Sequence, residues 1–236
     1  MERMFRDLER QDMESRRQYY YLINSHEETL KELLSDKNWS NVTIEQAVTK
    51  SLIRRMINHF RIENDQKNKI GRLKLGVGVA GTYFEDILAV YLRSYLRSRV
   101  SAVEILLNKT LEKRTVPDIT VTKSGKIAAF LELKSNFNWH RGDHWPDINR
   151  KYLVFRKYVG PHAIFVIVLS KAMLKDEPLD RFKDGCQVEK NNICVLMEDH
   201  PSVATEEKVC EPIEPLLEKL NSILESTKWS EKEKEA

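Results

Sequence analysis

Asp118, Glu132 and Lys134 are the residues whose types and spacing could hold a metal ion and carry chemistry beside it. They lie within residues 115–134, where two runs rich in β-branched and apolar side chains flank the turn dipeptide Ser124-Gly125, so the stretch reads as an antiparallel hairpin. With the loop centred on Gly125, Asp118 stands seven residues before the turn and Glu132 seven after it, which sets them opposite one another. Directly opposed residues have Cβ atoms about 4.5–5.5 Å apart, close enough for both carboxylates to hold one small cation. Left bare, the like charges would destabilise the sheet, and a divalent metal resolves that conflict. Lys134 follows Glu132 by two and shares its face, whereas Leu131 and Leu133 point to the other face and can pack.

The elements around the hairpin must position these groups. Residues 1 to about 35 are dense in charge with apolar residues at mostly helical spacing, a helical arm. It serves dimerisation, embraces DNA, or packs on its own domain, and the residues do not separate these. Thr43 and Gln46 have the form of a capping box for a second helix to about residue 62, with Val48, Leu52, Met56 and Phe60 along one face. Residues 64–72 read as a polar connector and boundary. Gly76, Gly78 and Gly81 spell G-x-G-x-x-G, but the residues before them are half charged and follow a helical region instead of a buried strand, so a dinucleotide site is not expected. The glycines read as a flexible entry to a helix from about residue 83 to 99, with Phe84, Leu88 and Leu92 in its apolar stripe. Glu85 borders that stripe and has two readings. It reaches the hairpin as a third acid, or it completes a T-x-x-E capping box with Thr82.

Residues 103–107 read as a strand before the hairpin. After it, residues 136–145 mix amide, aromatic and basic side chains without periodicity; Asn136, Asn138, His140 and Arg141 have donor patterns suited to base edges and phosphates. His140 and His144 are spaced i, i+4, but Gly142 between them argues for a loop and against a His-held metal. Pro146 suits the first turn of a further helix, whose Arg150 and Lys151 could lie along phosphates. Residues 163–169 form a continuous apolar run, a central strand buried on both faces. Residues 187–197 suggest a further hairpin or edge strand turning at Asn191-Asn192, and a helix over 213–224 closes the domain.

Composition narrows the classes. At 236 residues the chain can bury a full core, and a formal net charge of +3 announces no global polycation, so any basic surface is local. No apolar run approaches the length of a membrane span and no signal-peptide pattern opens the chain, which reads as cytoplasmic without a membrane partner. Cys186, Cys194 and Cys210 are odd in number without a C-x-x-C pair, against a disulfide framework or structural zinc.

Pro117-Asp118 followed by Glu132-Leu133-Lys134 resembles the signature of the PD-(D/E)XK, or restriction-endonuclease-like, nucleases, over roughly residues 80–170. The resemblance implies an α/β fold: a mixed central sheet flanked by helices, with an αβββαβ core and an N-terminal helical extension. It divides the chain into a helical arm over 1–70, a nuclease domain over 71–226 and a charged tail over 227–236. It implies a magnesium-dependent endonuclease, Mn2+ substituting, that leaves 5′-phosphate and 3′-hydroxyl ends. Asp118, Glu132 and the backbone carbonyl of Leu133, with Glu85 as the third acid, would hold the metal, and Lys134 would orient or help deprotonate the attacking water. Among such enzymes the chain looks most like a type II restriction endonuclease, a homodimer on double-stranded DNA without a nucleotide cofactor. A repair or recombination nuclease of the same fold, and a catalytically idle nucleic-acid-binding module, are the alternatives.

Overall fold

The computed structural model describes residues 46–70, 76–111, 115–135, 145–174 and 178–226, together with the isolated positions 10, 14 and 17. Apart from those three positions, the arm over 1–35, the capping residue Thr43, the stretch bearing Asn136, Asn138, His140, Arg141 and His144, and the tail over 227–236 lie outside the described residues.

The chain runs α1 (Ala47–Ile70), α2 (Gly76–Arg97), β1 (Val103–Leu107), β2 (Ile119–Lys123), β3 (Lys126–Lys134), α3 (Trp145–Phe155), β4 (Ile164–Ser170), α4 (Leu179–Gly185), β5 (Ile193–Met197) and α5 (Glu214–Ser226). The five strands form one sheet in sequence order. β1 and β3 both run antiparallel to β2, and β4 and β5 continue parallel to β3, so β2 alone opposes the rest. The parallel pair requires a crossover, and α3 supplies it between β3 and β4. β4, between two parallel neighbours, is buried along its whole length, which is why its sequence is apolar without alternation.

The hairpin forms as the sequence indicates, by a different route. Lys123 pairs with Lys126, so Ser124 and Gly125 alone make the turn, both at positive φ (50° and 77°), the two-residue turn whose twist suits a hairpin. That register, carried unchanged down the strands, would offset Asp118 from Glu132 by one residue. Val121 pairs with Ala129 while Thr122 pairs with Ile127, so Ala128 is the extra residue of a β-bulge. Past the bulge Ile119 pairs with Leu131, and the next step of the register sets Asp118 beside Glu132.

Three expectations are corrected. The segment read as a connector is largely helical, since α1 continues to Ile70. The three glycines lie within α2 from its first residue, so they are neither a flexible entry nor a phosphate-binding turn between strand and helix. Residues 187–192 form no strand; a short 3-10 turn over Lys190–Asn192 leads into β5, which joins the edge of the sheet parallel to β4 instead of closing a hairpin.

The helix that the sequence assigns to the extension also enters the common core: Leu52, Ile53 and Met56 of α1 are fully buried with Phe84 and Leu88 of α2 and the sheet. Its polar anchor is Thr49, whose hydroxyl bonds Glu214 at the start of α5 and accepts the Ile213 N–H at 2.8 Å. α3 reaches the sheet through Phe155, stacked on Phe130 of β3 at 4.7 Å between ring centroids. Among the described residues no helix is long and apolar enough to cross a membrane, and Cys186, Cys194 and Cys210 are free thiols.

Candidate active site at the end of the hairpin

The site lies where β2 begins and β3 ends. Asp118 sits in the bend before β2, its carbonyl accepting the N–H of Asn108 at 3.1 Å and its Oδ2 accepting the N–H of Leu133 at 2.6 Å. The carboxylate thus caps β3 at the point where β2 no longer pairs with it. Glu132 is buried, 2% exposed, on the face of β3 that also carries Phe130. Two ammonium groups converge on one of its oxygens: Lys134 Nζ and Lys151 Nζ each lie 2.5 Å from Oε1. The other oxygen, Oε2, is buried without a hydrogen-bond partner. A buried carboxylate oxygen in that state is costly unless something supplies positive charge.

The two acids respond to each other. Burial, then the charge of Glu132, pushes the Asp118 carboxyl up to about 7, against the pull of the Leu133 N–H and of Lys151 and Lys134. Burial acts to lower Lys134, but its bond and charge interaction with Glu132, with help from Asp118 and Asp147, outweigh that and hold it above the usual lysine range. In this arrangement Lys134 is an ammonium at neutral pH, suited to orienting water and offsetting phosphate charge; it is not a free base. Asp147, in the first turn of α3, lies 3.6 Å from Lys134 and accepts from Arg150 at 2.6 Å. Burial would raise Asp147, yet Arg150, Lys134 and Lys151 together hold it below the ordinary carboxylate range.

Thr82 and Glu85 do not form a capping box, because six helical residues precede Thr82 in α2. Glu85 instead lies within electrostatic reach of Asn108, Glu132 and Lys151; burial, then Asp86 and Glu132, raise its pKa against the pull of the Asn108 side chain and of Lys151. Asn108 is thus a neighbour of both acids: its side chain acts on the Glu85 carboxyl, and its backbone N–H bonds the Asp118 carbonyl. Among the described residues no three His, Cys, Asp or Glu side chains close around a single point as a metal cage would require. The acids that come together are a pair, Asp118 and Glu132, with Glu85 at their border.

For Glu85→Gln, the expected result is a slight gain in thermal midpoint at neutral pH, because the substitution removes a charge that burial penalises and no cap is lost. If the acids hold a metal for the nuclease chemistry that the sequence resemblance implies, cleavage should slow by about tenfold, the cost typical of a group supporting metal ligands from outside. An unchanged rate at limiting Mg2+ would return Glu85 to a purely structural role.

Of the sequence-derived candidates, Asp118, Glu132 and Lys134 come together, Glu85 borders them, and Leu133 contributes its N–H to Asp118. Arg150 is exposed and pairs with Asp147. Lys151, expected along phosphates, is turned into the site. Asp147 and Asn108 were not anticipated. The spacing Asp147-x-x-x-Lys151 just after a helix-starting Pro146 was the available signal for the first; nothing local marked Asn108.

No protein-family model, curated protein or solved structure matches the chain. The site is therefore read on its own chemistry.

Proposed function

We propose that the protein is a magnesium-dependent endonuclease of the PD-(D/E)XK type, hydrolysing phosphodiester bonds of double-stranded DNA. The observation that carries this reading is the buried Glu132, whose Oε2 has no partner, one register step past the end of the β2–β3 ladder beside Asp118. Oxygen donors of this kind suit a hard cation, so the residues fit Mg2+ or Mn2+. Asp118, Glu132 and the Leu133 carbonyl would hold it, with Glu85 as the supporting acid. A bound Mg2+ supplies a coordinated water of lowered pKa and positive charge against the oxygens of the phosphate. Lys134 would donate to the attacking water and offset phosphate charge, the role its raised pKa favours. The element order α2, β1, β2, β3, α3, β4 supports the αβββαβ reading.

Within this class the type II restriction endonuclease, a cytoplasmic homodimer cutting at a specific sequence, is the specific form we favour, with base contacts from the loop bearing Asn136, Asn138, His140 and Arg141. One observation favours the rival of an idle binding module: Lys134 and Lys151 already neutralise Glu132 without a metal. The bare Oε2 weighs against it, since two counterions on one oxygen leave the other unserved.

Incubation of the protein with circular plasmid DNA separates these readings. Nicking and linearisation with Mg2+ or Mn2+, abolished by EDTA, is the expected outcome. Plasmid that stays intact but is retarded on a gel would establish the idle module instead. Discrete fragments indicate restriction, and a preference for branched or damaged DNA indicates repair.

A further inference from the structure

The pairing of two lysines on one buried carboxylate oxygen goes beyond the Asp-Glu-Lys set. Lys134 comes with the strand, two residues from Glu132 on the same face, and would be there in any hairpin of this sequence. Lys151 comes from α3, 19 residues away in sequence, and its Nζ lies at the same 2.5 Å from Oε1. Both lysine side chains are only 17% exposed, and that of Glu132 is 2% exposed. Long cationic side chains ordinarily keep their heads in water. Lys151 has neighbours for that on its own helix, where Arg150 is 69% exposed and bonds Asp147. Its inward course is set by the charge of Glu132.

We propose that Lys151 is a positioning residue of the metal site: with Lys134 it clamps Oε1 of Glu132, leaves Oε2 as the open donor, and stands as the counterion against which a divalent cation must bind. The inference rests on the endonuclease reading and adds a second, helix-borne lysine to it. Three consequences follow from electrostatics. In the metal-free protein Lys151 stabilises the buried Glu132, since an unpaired buried carboxylate is strongly unfavourable. When a cation binds at Oε2, the Lys151 ammonium remains close by and repels it, so Lys151 weakens metal affinity. On a substrate complex the same ammonium lies beside the phosphate-binding side of Glu132, where its charge favours the reacting phosphate. The arrangement keeps the acid pair folded before metal and substrate arrive.

The test is made on the intact chain with Lys151→Gln, and with Arg156→Gln as a control that removes one exposed positive charge just past the end of α3. Mn2+ binding is measured by calorimetry without DNA, and thermal midpoints in EDTA and in excess Mn2+. Lys151→Gln is expected to bind Mn2+ about tenfold more tightly than wild type, because a charge repelling the cation is gone. Its midpoint should fall in EDTA, and excess Mn2+ should recover more of it than the same addition raises the wild type. At saturating Mn2+ its kcat on plasmid should fall, whereas Arg156→Gln should leave both kcat and Mn2+ affinity unchanged. Lys151→Arg, which keeps the charge, should restore wild-type Mn2+ affinity to within about threefold. That arm serves equally if the Gln variant is too unstable to titrate: a tenfold change in Lys151→Arg would overturn the charge argument.

A merely structural lysine would lower the midpoint equally with and without Mn2+ and leave affinity as it was. Mn2+ affinity that is unchanged or weaker in Lys151→Gln overturns this inference while the endonuclease reading stands. A wild-type protein that binds no Mn2+ and leaves plasmid intact overturns both.

Discussion

Asp118→Asn should abolish magnesium-dependent cleavage and, in EDTA above pH 7, make the protein more stable than wild type. Loss of activity follows because the amide supplies no charge to a cation. The gain in stability follows from the carboxyl's position, with its pKa pushed from 3.8 to about 7 by burial and by Glu132. Below about pH 4 the group is protonated in both folded and unfolded chains and contributes nothing. Between there and pH 7 the folded protein still holds a proton that the unfolded chain has released, so wild-type stability falls as pH rises. Above pH 7 the penalty is complete, up to about 4 kcal/mol on a scale of 1.36 kcal/mol per unit. The Asn variant escapes that penalty, and its side-chain carbonyl can still accept the Leu133 N–H that Asp118 takes at 2.6 Å. Melting curves in EDTA at pH 4.5 and pH 8 check this: the variant's advantage should appear at the higher pH and shrink at the lower. A variant that melts lower than wild type at pH 8, or that still cleaves plasmid with Mg2+, would remove Asp118 from the site as described.

Glu132→Gln should also abolish cleavage, but with the opposite effect on stability. Glu132 is the counterion of two lysines that are each 17% exposed, and the amide leaves both ammonium groups together without it. Breaking a buried pair by removing one partner typically costs about 3–5 kcal/mol, and two lysines near one another add their repulsion. The midpoint in EDTA should drop by well over the effect of an ordinary surface change, and excess Mg2+ should not restore it. The hairpin sequence alone favours the reverse, since two facing acids repel and losing either should relieve the sheet. Lys151 decides the sign. A Glu132→Gln variant as stable as wild type would show that the lysines do not depend on that carboxylate.

Much of the site was legible because its parts are local. Period-two alternation sets Glu132 and Lys134 on one face and Leu131 and Leu133 on the other, and β3 keeps that alternation through its last residue. The turn dipeptide marks the hairpin, and the apolar run of β4 marks a strand with neighbours on both sides. Glu85 could be placed at the edge of an apolar stripe, though not assigned. Its two readings depended on where the helix begins, and α2 begins at Gly76 where it was expected near residue 83. Glycines weaken a helix by propensity, but propensity is a weak prior beside the burial of Phe84, Ile87 and Leu88 against the rest of the core.

The sequence by itself determined the strand faces, the hairpin and the run of elements from α2 to β4, since these follow from periodicity and turn chemistry within short stretches. It could not determine which residues from different elements share one oxygen. The apposition of Asp118 and Glu132 depends on a bulge at Ala128, whose cause lies in pairing across strands and leaves no trace in the pattern. Lys151 looked like one of several charges on a basic helix face, and only the packing of Phe155 on Phe130 brings that turn of α3 over Glu132. Asn108 neighbours both Glu85 and Asp118 only because the end of β1, the start of β2 and a turn of α2 meet at the same end of the sheet. Such convergence is fixed by burying one core from several elements at once, and a local pattern has no means to encode it.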